Sequence, residues 1–324
     1  MGLNFKPKLF ILAILKEQKM KQSKLWLLAI LIIASILLIY GCAQVFPSTP
    51  SLKPSLTPNI LVESARAKII ETTFVGDGNY YNLMNSIKAG KQPFKYVDYL
   101  YVAFASLDDS SYKIYFKSEY EPRVKTIIEE ARNENLNLKI LAQMDWAVHL
   151  SPLKNTTLID VFAKSIPPFL QQYNFSGIDF DWEQPALNTS LASYLFTQVK
   201  SCIGSEKYLS ISADTTMSLD PNVINQYVDI VNIQVYGRWW IFDAFINLGI
   251  NKSKIYPGIC TENDGPFWEG GDISTYTKKV TDLGLPGLYA WRIDNDDTDH
   301  NTNLPRYTIT KAMWNFSRGV VPPL

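Results

Sequence analysis

Three carboxylates at alternate positions are the residues of this chain best placed to do chemistry. They are Asp179, Asp181 and Glu183, in the run Phe175-Ser176-Gly177-Ile178-Asp179-Phe180-Asp181-Trp182-Glu183. In a strand, successive side chains point to opposite faces, so the three acids share one face while Ile178, Phe180 and Trp182 share the other. Acids gathered in one poorly hydrated space oppose one another's ionisation, so at least one proton stays among them near neutral pH. A carboxyl group that holds a proton at that pH is what general acid catalysis needs. Two other readings compete. An exposed acidic edge strand leaves Phe180 and Trp182 with nowhere to be buried. A metal-binding Asp-x-Asp uses Asp179 and Asp181 but gives Glu183 no role.

Such a strand needs a scaffold that covers its apolar face and opens its acidic face at one end. From about Lys68 the chain alternates between two textures. Short apolar runs rich in β-branched and aromatic residues occur near 68–75, 96–105, 139–144, 177–182, 208–213, 229–236, 254–259 and 286–291. Segments with helical spacing lie between most of them, such as 122–134, 158–173, 191–202 and 273–283. Strands that are apolar almost throughout suit a parallel sheet covered on both faces. Eight such units over about 250 residues match a (β/α)8 barrel. A doubly wound sheet is the rival, but no glycine-rich phosphate loop follows the first strand run. In a barrel the three acids climb the interior and emerge at the C-terminal mouth, where sites of this fold are built.

The rest of the chain bounds the function. Formal net charge is zero, yet residues 1–41 carry six lysines and one glutamate. The remainder is therefore acidic overall and has no basic stripe for phosphates, which excludes nucleic acid as a partner. Lys21 and Lys24 precede sixteen uncharged residues, Leu25 to Tyr40, and then Gly41-Cys42. That order describes an export signal in residues 1–41, with residues 1–19 an extended leader or an unused upstream start. Ile39-Tyr40-Gly41-Cys42 resembles a bacterial lipobox, with Cys42 as the lipidated residue; an uncleaved membrane anchor is the alternative. Residues 42–64 hold a spacer rich in proline, serine and threonine. The expected product is an exported, membrane-tethered monomer whose folded domain spans 65–318. Cys202 and Cys260 read as two buried thiols, with a bridge as the alternative. His149 and His300 with no Cys/His clustering point to no metal site, and no cofactor is expected.

Asp-Phe-Asp-Trp-Glu in this frame resembles the fourth-strand signature of the family 18 glycoside hydrolases, the chitinases and endo-β-N-acetylglucosaminidases. Ser176 stands where the family has a further aspartate, and Pro185 agrees with the pattern while Gln184 departs from it. Val231-Asn232-Ile233-Gln234-Val235-Tyr236 resembles the sixth strand, with Gly237 where many chitinases have aspartate. Gly287-Leu288-Tyr289-Ala290-Trp291 resembles the eighth. The third strand departs, with Ala142-Gln143-Met144-Asp145-Trp146 where a serine and paired glycines are usual. Residues 260–285 leave no room for the extra α+β insertion of some chitinases, so the compact branch with an open groove is implied.

The resemblance implies a retaining hydrolase that cuts β-1,4 bonds next to N-acetylglucosamine through an oxazolinium intermediate. Glu183 is then the acid, Asp181 holds the acetamido N–H, Asp179 shares a proton with Asp181, and Tyr236 orients the acetamido carbonyl. Trp291 floors the sugar site, and Gln234, Trp146, Asp145, Arg238 and Trp239 are further candidate sugar contacts. Asp145 is a candidate for steadying the aspartate pair. Trp240, Trp268 and His149 follow strands on the same side. Arg238 and Asp243 are candidates to supply the polar group that Gly237 does not carry, and Asp214 faces the mouth too. The implied partner is an N-acetylglucosamine-containing glycan. The competing class is a lectin-like barrel of the same family that binds such glycans without cutting them, and retention of Glu183 speaks against it.

Overall fold

A computed structural model describes residues 68–76, 79–265 and 272–320. The leader at 1–41, the spacer at 42–64 with Cys42, and Trp268 lie outside the described residues. Among those described, eight parallel strands close into a barrel. They are β1 (Ile69–Val75), β2 (Tyr99–Leu107), β4 (Lys139–Met144), β5 (Gly177–Trp182), β6 (Tyr208–Ala213), β7 (Ile230–Ile233), β8 (Ile255–Cys260) and β9 (Gly287–Trp291). Each pairs with the next, and β1 hydrogen-bonds both β2 and β9, which closes the ring. A two-residue strand, β3 (Ile114–Tyr115), runs antiparallel to the end of β2.

The helices lie between strands: α1 (Tyr80–Lys88), α2 (Glu121–Glu134), α3 (Thr156–Tyr173), α4 (Thr189–Ile203), α5 (Pro221–Tyr227), α6 (Trp239–Leu248), α7 (Ile273–Leu283) and α8 (Thr308–Ser317). Their ends follow local chemistry. Asn155 and Asn188 cap α3 and α4 by accepting the Leu158 and Leu191 N–H groups, which satisfies donors the first helical turn leaves unpaired. Both helices therefore begin two residues before their apolar spacing does. Asn174, Gly249 and Gly284 end α3, α6 and α7 in the left-handed conformation, the usual stop for a helix.

Alternation sorts the strand residues into two cores. Ile70, Leu100, Val102, Ile140, Ile178, Phe180, Trp182, Leu209 and Ile211 face outward and belong to the shell between strands and helices. Tyr101, Leu141, Ile230, Tyr256 and Tyr289 form a separate apolar cluster, at the inward positions of their strands. The same inward face carries Glu71, Thr73, Gln143, Asp179, Asp181, Ser210, Ser212 and Asn232, all buried. Phe180 and Trp182 pack against Phe196 of α4, with ring centroids 5.9 and 5.0 Å apart, as the alternation of β5 predicts. Two boundaries differ from the sequence reading. Residues Pro93–Tyr96 form a 3-10 turn, so β2 starts at Tyr99, and β7 stops at Ile233 although the apolar run continues to Tyr236.

Candidate active site

The site is built on β5. A Cβ at Gly177 would stand 2.2 Å from the Tyr208 carbonyl oxygen, so only glycine lets β5 and β6 approach this closely at its base. Above it, Asp179 and Asp181 are 0% and 2% exposed, while Glu183, just past the strand end, is half-buried. Asp179 Oδ2 accepts a hydrogen bond from Gln143 Nε2 at 2.8 Å, and Asp179 and Asp181 pair in register with Ser210 and Ser212 of β6. Burial pushes Asp179 up to about 6, against the pull of Ser210, Ser212 and Gln143. Asp181 Oδ1 accepts from Gln234 Nε2 at 2.8 Å. Burial, then the neighbouring charges of Glu183 and Asp179, hold Asp181 well above the usual carboxylate range. Glu183 is raised as well, first by burial and then by Asp214. Asp179 and Asp181 are thus met by side-chain amides, which favour ionisation less than a cation does, and burial favours their protonated forms.

Gln234 and Tyr236 reach the ladder because the chain leaves β7 abruptly. The Val235 N–H turns back to the Ile233 carbonyl at 2.7 Å, and Tyr236 and Gly237 have φ of 42° and 76°. A non-glycine residue held at positive φ costs on the order of 1–3 kcal/mol and persists where its surroundings fix it. Here the Tyr236 N–H is fixed on the Gly258 carbonyl at 3.0 Å, and the Gly237 N–H donates to the Tyr276 hydroxyl at 2.9 Å. This turn explains the departure at 237, since a left-handed position favours glycine over aspartate. The Tyr236 hydroxyl is raised by burial, with Tyr289, Asp181 and Glu183 among its neighbours. Arg238 donates to the Gln234 carbonyl at 3.1 Å, sits 5.9 Å from the Tyr236 ring centre, and pulls both Glu183 and Asp214 downward.

Across the mouth, Trp291 ends β9. Its ring stacks on Phe104, with centroids 6.2 Å apart and planes 28° from parallel. Phe104 lies at a register shift of β2 between Ala103 and Ala105, and such a bulge re-aims a side chain that regular alternation would send outward. Two adjoining cavities of about 270 and 260 Å3 share Ser106, Lys117 and Asp145 in their walls, and Phe104 lines the second.

Two sequence expectations change. Asp145 does not reach the aspartate pair: it pairs with His149 at 2.9 Å and caps the Trp146 N–H, because the strand has ended at Met144. Gln143, one register step lower and facing inward, holds Asp179 instead. Trp239 does not face the mouth; it packs on Tyr276 with centroids 4.8 Å apart, under the Lys279 ammonium. Its neighbour Trp240 is 68% exposed and Trp146 is 42% exposed, and Asp243 lies exposed on α6. Glu71 was not singled out in the sequence. It is fully buried inside the barrel, accepts from the Tyr101 hydroxyl at 2.6 Å, and is raised by burial to about 8. Cys202 and Cys260 are both free thiols.

Residues 74–316 match the glycosyl hydrolases family 18. A class V chitinase of Arabidopsis thaliana is 24% identical over 225 residues, 61% of this chain. The chain spans only 57% of that relative's length. Among solved structures, human YKL-39, described as a pseudo-chitinase with retained chitooligosaccharide binding, superposes with a TM-score of 0.61 at 16% identity, over 78% of this chain and all of that one. A family 18 chitinase of Cycas revoluta in complex with (GlcNAc)3 gives 0.59 at 14% identity, over 78% and 99% of the two chains.

Proposed function

The chain belongs to the glycosyl hydrolases family 18, and from that premise we propose that it is a retaining glycosidase cutting β-1,4 bonds next to N-acetylglucosamine. The observation that carries this reading is the ladder Asp179–Asp181–Glu183, buried at its base, held by the Gln143 and Gln234 amides, with Glu183 at its open end raised by burial and by Asp214. Family 18 is one in which the substrate supplies the nucleophile. Glu183 gives its proton to the glycosidic oxygen as the bond to the anomeric carbon breaks. The acetamido carbonyl oxygen of the same sugar attacks that carbon and forms an oxazolinium ring. Asp181 accepts the acetamido N–H, and Asp179 takes part in a coupled titration with it. Tyr236 orients the acetamido carbonyl, and Trp291 lies under the sugar ring. Glu183, now ionised, takes a proton from water, which attacks the anomeric carbon and opens the ring. The product keeps its configuration.

The ligand class is supported by the Cycas relative, which binds (GlcNAc)3. Chitin, N-linked glycans and peptidoglycan all offer this sugar. The test is to incubate the full-length chain with N-acetylglucosamine oligomers, a high-mannose glycopeptide and peptidoglycan, and to read products by mass spectrometry beside Glu183→Gln. Cleavage by the wild type alone names the polymer and the acid together. A Glu183→Gln variant within tenfold of wild type, about 1.4 kcal/mol, removes Glu183 from that role. A second reading, a lectin-like barrel, draws on the YKL-39 likeness and predicts retention of an oligomer with no product. We also propose export and tethering through lipid on Cys42; Cys42→Ala is then expected to leave the membrane fraction.

A further inference from the structure

Trp291 is not simply packed in place; its indole is clamped by a carboxylate from the neighbouring strand's loop. Glu262 follows β8, and its Oε2 accepts the Trp291 indole N–H at 3.1 Å. Its other oxygen, Oε1, accepts from Asn295 Nδ2 at 3.0 Å and lies 3.9 Å from Arg292 Nη1. The backbone locks the two loops in step, with the Thr261 N–H on the Trp291 carbonyl at 2.6 Å and the Thr261 hydroxyl on the Arg292 carbonyl at 2.8 Å. Phe104 stacks against the ring, and the Arg292 guanidinium stands 6.0 Å from its centre.

Charge balance explains what Glu262 is for. Arg292 is nearly buried, and Asp294, fully buried, meets it through both carboxylate oxygens at 2.9 and 3.0 Å from Nε. The guanidinium is therefore neutralised without Glu262, which lies farther from it. The short contacts of Glu262 are to the indole and Asn295. A hydrogen bond to an ionised acceptor is stronger than a neutral one, and this one fixes the rotation of the indole about its χ angles where stacking on Phe104 alone leaves it free to slide.

We propose that Glu262 is a positioning residue that sets the plane of Trp291 for stacking against the sugar ring. The sugar part of the inference rests on the reading under Proposed function; the clamp itself does not. Two readouts on the full-length chain separate them. The first is the Trp291 indole N–H resonance in 15N-tryptophan-labelled protein, assigned through its loss in Trp291→Phe. Glu262→Ala is expected to move that resonance, and Glu262→Gln, which keeps an acceptor and the volume, to move it less. The second is a double-mutant cycle on KM for an N-acetylglucosamine oligomer. Glu262→Ala is expected to raise KM about tenfold with kcat little changed, the loss of one charge-assisted hydrogen bond. In a Trp291→Phe background the same change is expected to alter KM less than about twofold, because the effects of coupled residues do not add. An unmoved indole resonance in Glu262→Ala overturns the clamp. Equal KM effects in both backgrounds, or kcat and melting temperature falling together with KM untouched, make Glu262 a loop anchor and overturn its positioning role. A moved resonance in a protein that neither binds nor cuts the oligomer upholds the clamp and sinks the sugar reading.

Discussion

The two sides of the barrel mouth treat their carboxylates differently. On the β4–β7 side, Asp179 and Asp181 are each met by a side-chain amide, and burial leaves both above the ordinary carboxylate range. On the β8–β9 side, Asp294 is met by a buried arginine, and Glu262 by an indole, an amide and the edge of the same guanidinium. Neutral partners fix a carboxyl group in space without taking away its reason to hold a proton; a cation fixes it as an anion. Under the proposed function, the difference makes one side the place where protons move and the other a frame for an aromatic floor.

The sharpest way to break this contrast is at Asp181. Asp181→Asn keeps the shape and the burial but removes the charge and one member of the coupled set. It also removes one of two acceptor oxygens, leaving a single carbonyl oxygen for both Gln234 and the acetamido N–H. A loss of turnover on the order of 10²–10⁴-fold is expected, the scale of acid–base and charge stabilisation at one residue, and a rate within tenfold of wild type counts against acetamido participation. Gln143 comes next. Gln143→Ala leaves Asp179 without its amide donor, the penalty for one unmet buried acceptor being about 1–3 kcal/mol. A tenfold or larger drop in kcat/KM is expected, whereas Asp145→Ala is expected to cost less, since Asp145 pairs with His149 at the rim. If the two rank the other way, the assignment of Gln143 fails.

A smaller effect sharpens the proton account. Asp214 raises Glu183 and Arg238 lowers it. With Asp214→Asn the like charge is gone, Glu183 ionises at lower pH, and the alkaline limb of kcat/KM moves down in pH. Arg238→Gln is expected to move it up. Limbs that shift together in one direction would argue that the fold, and not the charge, has changed.

The smallest change concerns stability alone. Glu71 rises from an ordinary 4.5 to about 8 on folding. Because its folded value is the higher one, its contribution to stability is fully present below pH 4.5 and is lost as pH rises to about 8. Glu71→Gln keeps the neutral shape and the contact with Tyr101. The variant is expected to melt several degrees above wild type near pH 8.5 and close to it near pH 4.5. Equal melting temperatures at the higher pH contradict a protonated Glu71.

Much of the barrel and of its acid ladder can be read from residue type and period. The alternation of Asp179, Asp181 and Glu183 with Phe180 and Trp182 leaves only one way to bury the strand. What escapes such reading is where a strand stops. Val231 to Tyr236 is one apolar run, yet the chain turns at Tyr236 because tertiary hydrogen bonds hold it at positive φ. The same limit put Asp145 inside the barrel: one residue beyond Met144, alternation no longer aims it. Trp239 and Trp240 are adjacent on α6 and point about 100° apart on the helix, so packing against Tyr276, and no local signal, decided which is buried. Gln143 was visible as a lone amide in the apolar run Lys139–Met144. Glu71 sat between Ile70 and Thr72 with no motif around it, and only the closing of β1 against β9 and β2 buries it.

The most direct test of substrate-assisted catalysis is the anomeric configuration of the first product. Proton NMR, recorded within seconds to minutes of mixing the full-length chain with an N-acetylglucosamine oligomer, separates the α and β anomers before they equilibrate. The account predicts that the new reducing end appears first as the β anomer and relaxes to the mixture. An α anomer formed first contradicts the oxazolinium route, and no new reducing end from any N-acetylglucosamine polymer contradicts hydrolysis itself.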